Sequence, residues 1–167
     1  KSPTSTLDAS ARFVAGSLGT FRTEARLSGP IVRGRILGSA AILRGVRDGF
    51  VRDLDHPDHP LGGEDVTALR TKLHFIFNRH SNLLLSGDVT HQDPTPLTYA
   101  KVLVVKPGFQ VDNPPDLHEV RTSAPAHGLI FQHGASARFT ASLPAGMTLT
   151  STTAFRKLDY RIAHDGD

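Results

Sequence analysis

Hydrophobic and polar residues alternate with a period of two through most of this chain, the signature of strands with one apolar and one polar face. From Ser5 to Gly16 the odd positions are Leu7, Ala9, Ala11, Phe13 and Ala15, and the even ones include Asp8 and Arg12. After the turn-forming Ser17–Thr20 the pattern resumes, with Phe21, Thr23, Ala25 and Leu27 set against Arg22, Glu24, Arg26 and Ser28. Gly29-Pro30 is expected to end this second strand, because proline has no N–H for a ladder. Leu69, Thr71, Leu73, Phe75 and Phe77 then alternate with Arg70, Lys72 and His74, placing three basic or ionisable groups on one face. Leu83, Leu85, Gly87 and Val89 form the return strand opposite Ser86, Asp88 and Thr90, with Leu84 out of pattern. The expected fold is all-β, an antiparallel up-and-down meander of seven long strands near 5–16, 21–29, 34–51, 66–77, 82–92, 129–143 and 147–162. The segment at 34–51 also fits a helical stripe and is assigned as strand from its neighbours. His133 interrupts the apolar side of the sixth strand.

Three features favour a partial transmembrane β-barrel over a soluble sandwich. The strands are long enough to cross a bilayer at a tilt, whereas soluble strands centre on about five or six residues. The polar face carries Arg12, Arg22, Glu24, Arg26, Arg70, Lys72, Asp88 and Arg138, which suits a water-filled lumen behind a lipid-facing wall. Short turns near Gly29, Asn78 and Pro144 alternate with the long connections 52–65 and 93–128, the asymmetry expected of outer-membrane barrels, although the connection at Ser17 is brief. Phe50, Phe155 and Tyr160 are candidates for an aromatic girdle toward the long loops. Two alternatives remain, a complete small eight-stranded outer-membrane barrel and a soluble lipocalin-like barrel with its apolar side chains inside.

Composition narrows the function. The 167 residues include no cysteine, which excludes disulfides, thiolate metal sites and cysteine nucleophiles. No apolar run approaches the roughly 18 to 20 residues of a membrane helix. A formal charge of +3 without a basic tract gives no support to nucleic-acid binding. The nine histidines fall in no H-E-x-x-H motif and the serines in no G-x-S-x-G elbow, so no enzyme, no cofactor and no metal centre is expected.

Five stretches, ASARFVAGSLGTFRTEARLSGPIV (9–32), ILRGVRDGFVRDL (42–54), EDVTALRTKLHF (64–75), LLLSGDVTHQD (83–93) and TLTSTTAFRKLDYRIAHDGD (148–167), are together similar to the N-terminal part of the barrel of TonB-dependent outer-membrane receptors. The resemblance spans nearly the whole chain as one partial barrel domain, 1–167. It includes the SGP turn of the opening hairpin, the Arg-Asp-Gly-aromatic element at Arg47–Phe50 and the T-S-x-T-A-aromatic-R segment at Thr150–Arg156. It implies energy-coupled uptake of a scarce ligand such as a ferric siderophore, haem, cobalamin or an oligosaccharide, in the outer membrane of a Gram-negative bacterium. The expected partners are membrane lipid, the remaining barrel strands, a plug domain and, through that plug, the TonB complex. Nothing in the chain resembles the plug, and seven strands cannot close a barrel of roughly 22. The chain begins with Lys1 and stops in mid-element, so a fragment inactive on its own is expected.

Candidate ligand contacts lie in the two long loops. Asp53, Asp55, His56, Asp58 and His59 cluster in the first, where a metal chelate could be gripped, though a plainly solvated loop is the simpler expectation. The second holds Tyr99, Lys101, Lys106, Phe109, His118 and Arg121, a set suited to an anionic chelate, and its YAKVLVVK run is expected to add a small strand. The cations of the polar face are expected to pair with carboxylates of a plug or with Asp8, Glu24 and Asp88, or else to draw an anionic ligand inward.

Overall fold

A computed structural model describes residues 2–97, 116 and 118–163. The strands are β1 (Asp8–Ala15), β2 (Phe21–Val32), β3 (Ile36–Arg47), β4 (Arg52–Asp53), β5 (Glu64–Ile76), β6 (Ser81–Gln92), β7 (Glu119–Val120), β8 (His127–Ser142) and β9 (Thr148–Ala163). Seven of them form one antiparallel meander in the order β1-β2-β3-β5-β6-β8-β9, with β1 and β9 as its two free edges. The sheet is open, not closed into a barrel.

Period-two side chains explain why these segments pair as they do, since one register aligns all the apolar positions on one face. Ala11, Ala25, Ile42, Leu69 and Val89 lie side by side along one row, and Ser10, Arg26, Ala41, Arg70 and Asp88 lie along a row of the other face. No second layer covers the apolar face among the described residues. Phe13 is 68% exposed, and Leu27 and Ile42 are about as open. The lipocalin-like arrangement, with this face enclosed, is not what the chain forms.

One sequence expectation fails at the second strand. β2 does not stop at Gly29-Pro30 but runs on to Val32, with Pro30 opposite Leu37 and a bulge between Pro30 and Val32. The bulge removes the ladder donor that proline lacks, so pairing resumes beyond it. The reversal comes at Gly34, whose φ of +69° suits glycine, and Arg35 donates its N–H to Val32 O at 3.0 Å. The third strand also ends earlier than expected, at Arg47, and its anticipated continuation becomes loop.

The long connections are structured where described, against the expectation of a simply solvated segment. β4 in the first pairs in parallel with β7 in the second, and Val51, Leu61 and Ala126 form a small buried core beside Val120. The hairpin tip joins them, with Asp48 donating its N–H to Leu18 O at 2.8 Å. The anticipated YAKVLVVK strand lies outside the described residues.

Candidate functional site

Two features offer chemistry: the polar face of the sheet and the knot between the long loops. On the polar face the register places Arg12, Arg22, Glu24, Arg26, Arg70, Lys72, Asp88 and Arg138 together, as the alternation predicts. A trough of about 510 Å³ runs across this face from Ser10 on β1 to Asp88 on β6, with Arg12, Glu24, Arg26 and Arg70 in its lining. Arg22 donates to Glu24 at 2.8 Å within one strand, and Arg26 meets Asp8 at 3.4 Å across β1 and β2.

Asp88 breaks the expected pairing. It stands opposite Arg70 in the ladder, yet its carboxylate accepts from Arg156 on β9 at 2.9 Å. The strand between them contributes Gly134, which faces both Asp88 and Arg156 in the register. A Cβ there would come within 3.0 Å of the Phe155 carbonyl oxygen and would touch the Arg156 guanidinium at 3.4 Å. Arg156 was not among the residues singled out from sequence, although its alternation with Phe155 would have placed it on this face. Among the described residues Arg138 reaches Thr152 Oγ1, at 3.4 Å. His74 bonds Asn82 at 3.2 Å.

The loop knot centres on Asp53, which is fully buried. Its carboxylate accepts from Thr122 Oγ1, from the Asp55 N–H at 3.0 Å and from His56 Nδ1 at 3.1 Å. Burial alone would raise this carboxyl, but the Thr122 hydroxyl, the Asp55 and His56 amides and the His56 ring together outweigh it and hold it below the usual carboxylate value. Around it Arg121 pairs with Asp55 at 2.8 Å, and Arg52 donates its N–H to His118 O at 2.7 Å. The structure thus pairs Asp55 with Arg121 and ties His56 to Asp53 and Thr122, while the side chains of Asp58, His59 and His118 are exposed. Tyr99, Lys101, Lys106 and Phe109 lie outside the described residues. Thr122 carries no local sequence signal, because its contact with Asp53 spans 69 positions. Among the described residues no group of three or more His, Asp or Glu side chains is placed to hold a metal ion.

The apolar face adds a geometric observation. The last outward apolar side chain before a charged or imidazole group descends along the sheet. It is level with Ile42, Leu69 and Val89 on β3, β5 and β6 and with Ala135 and Phe155 on β8 and β9, while β1 and β2 end at Ala15 and Phe21 without meeting such a group. Beyond that line stand Arg44, His91, His133 and Lys157. From β3 to β9 the fall is about two residues over four strand steps, roughly 7 Å against 19 Å, or an angle of about 20°. On β5 the apolar face runs from Leu69 to Phe77 and on β9 from Phe155 to Met147, a vertical height of about 26 Å at that tilt.

The three aromatic residues expected to form a girdle do not share one face. Phe155 is on the apolar face in mid-strand, Tyr160 is on the opposite face, and Phe50 packs over Gly62 in the loop. Instead Phe131 lies 6.2 Å from His91 and 5.3 Å from His133, which in turn is 6.1 Å from Phe155. Tyr160 misleads because β9 reverses its polarity past Phe155, with Lys157, Asp159 and Arg161 on the otherwise apolar side.

No family model and no curated protein matches the sequence. Among solved structures, the chain is similar to one in "Structure of the FpvAI-pyocin S2 complex", with a TM-score of 0.72 and 16% identity. The match covers 93% of this chain and 20% of that one, so the chain spans about a fifth of its length. At this identity the likeness is one of fold alone.

Proposed function

We propose that the chain is a seven-stranded section of the wall of an outer-membrane, TonB-energised importer for a scarce ligand, the class that includes ferric siderophores, haem, cobalamin and oligosaccharides. The observation that carries this reading is the slanted edge of the apolar face. A boundary that falls in one direction across the register is what a level membrane surface makes on the tilted strands of a barrel. The height of about 26 Å is close to the roughly 25 Å apolar band of such barrels. The likeness in fold to part of a receptor barrel supports the same reading. The role is non-catalytic: the sheet partitions lipid from a polar lumen, and the knotted loops stand at the mouth. Outer-leaflet lipid covers Phe13, Ile42, Leu69 and Phe155, and further barrel strands pair with the free edges of β1 and β9. With both edges unpaired, the chain alone transports nothing.

The 167 residues contain no cysteine, so each cysteine introduced among them is the single thiol of this stretch. Single cysteines are placed at Leu69, Leu85 and Ala137 on the apolar face, and at Arg70, Ser86 and Ser136 on the polar face, of the full-length product in its own cells. A membrane-impermeant maleimide is expected to label the polar-face set, and a lipid-soluble one the apolar set, in the outer-membrane fraction. Labelling of the apolar set by the impermeant reagent, or recovery of the protein in a soluble fraction, would refute the reading and favour a soluble binding barrel.

A further inference from the structure

The topology gathers the cations of the short turns at one end of the sheet and leaves them without acidic neighbours. The β2–β3 turn carries Arg33 and Arg35, and the β5–β6 turn carries Arg79 and His80, all of them exposed. The two turns adjoin, since Ile76 donates its N–H to Arg35 O at 2.8 Å, and the β8–β9 turn follows, with Ser142 donating to His80 O at 2.7 Å. Stretches 29–47, 66–87 and 129–158, which supply this end of β3 to β9, contain no Asp or Glu. Asp8, the carboxylate of β1 at this end, lies on the polar face and meets Arg26 at 3.4 Å. Among the described residues no carboxylate pairs with Arg33, Arg35 or Arg79. At the other edge of the apolar face the cations are matched within the protein. Arg44 donates to Asp65 at 2.6 Å, His91 meets Asp93 at 2.9 Å and Lys157 meets Asp159 at 3.2 Å.

The unmatched arginines stand where the apolar face ends. Exposed Ile31 and Val32 run directly into Arg33, and exposed Phe77 lies two residues before Arg79. Against the row Ile36, Phe75, Leu83, Phe139 and Ser151, Phe77 lies two residues nearer the turns and Met147 four, so this lower edge falls toward β9 as the upper edge does. We propose that Arg33, Arg35 and Arg79 bind the phosphates of anionic phospholipid headgroups in the leaflet on the short-turn side. A guanidinium presents a fork of donors that fits phosphate oxygens, and its attraction to an anionic surface acts within a Debye length. An apolar band that runs straight into unpaired cations fits an amphiphile, whose chains cover Val32 and Phe77 while its phosphate meets the arginines. A soluble anion would engage the cations alone and leave that edge bare. The inference rests on the apolar face being lipid-facing, as the importer reading requires.

The test titrates the full-length protein in detergent, at low ionic strength because such contacts are screened by salt, with phosphatidylglycerol and separately with phosphatidylcholine, counting bound lipid by native mass spectrometry. Combining Arg33→Gln, Arg35→Gln and Arg79→Gln is expected to weaken phosphatidylglycerol binding at least about ten-fold and to leave phosphatidylcholine unchanged. Arg33→Lys, Arg35→Lys and Arg79→Lys together should keep most of the binding, since the charge remains. Lys157→Gln should alter neither lipid, because Lys157 already has Asp159. If the triple glutamine variant does not fold, Arg79→Gln alone is read in the same way, with a loss of about five-fold expected. Unchanged phosphatidylglycerol binding, or an equal loss of both lipids, would overturn the proposal. So would glycerol phosphate binding as tightly as the whole lipid, or polyglutamate binding more tightly through the same arginines, since the turns would then serve a free anion or an acidic protein. Expected cysteine labelling with phosphatidylglycerol binding that ignores the arginines removes only this site, whereas impermeant labelling of the apolar set removes the importer reading as well.

Discussion

Leu73→Arg is expected to prevent membrane insertion of the protein, while Ser136→Arg is expected to be tolerated. Leu73 is the middle of the five outward positions from Leu69 to Phe77 and sits between Gly38 and Leu85 in the register, at the centre of the apolar band. An arginine at the bilayer midplane of a barrel costs about 2 to 4 kcal/mol, falling toward zero near the interfaces. Ser136 is flanked by Ser86 and Ala154 on the polar face, where added charge meets water and the effect is about 0.5 kcal/mol or less. Urea titration of the full-length protein in lipid vesicles, read by the heat-modifiable mobility of the folded form, measures both. Equal losses in the two variants would show that the faces do not divide lipid from water. The contrast is informative because both changes introduce the same side chain and differ only in the face that receives it.

The second large effect concerns the loop knot. Asp53→Ala leaves the Thr122 hydroxyl, the His56 ring and the Asp55 N–H without their buried acceptor. Hydrogen bonds to a charged group contribute about 1.5 to 3 kcal/mol, so local opening of β4 from β7 should become about 10- to 150-fold more frequent. The amides of Arg52 and Leu54, which donate to His118 O and Val120 O, report this directly by hydrogen exchange. Amides of the β5–β6 ladder should be unaffected, and uniform acceleration across the sheet would contradict a local role. The pH dependence follows from the same carboxylate. Because its folded-state value is lowered, its stabilisation is complete above the unfolded value and is lost as the pH falls through the folded one. The knot should therefore loosen below about pH 4, and Asp53→Asn should abolish that dependence.

Much of this was legible in the order of residues. Alternation placed Arg12, Arg26, Arg70, Lys72 and Asp88 on one face and Phe13, Leu69 and Phe139 on the other, because a strand permits no other geometry. The identity of their partners was not legible. Asp88 adjoins Arg70 but bonds Arg156, across Gly134 on the intervening strand. Asp55, His56 and Arg121 looked like separate ligand contacts and proved to be tied to one another or to the Asp53 centre.

The sequence by itself determined the two faces, the seven long strands and the alternation of short and long connections, since these depend on periods of two and on local turn chemistry. Only the tertiary structure decided the slant of the apolar edge, the passage of β2 through Pro30, the withdrawal of Asp88 and the burial of Asp53. Each of these depends on the register between strands or on contacts across many positions, and neither is encoded in any one stretch of chain.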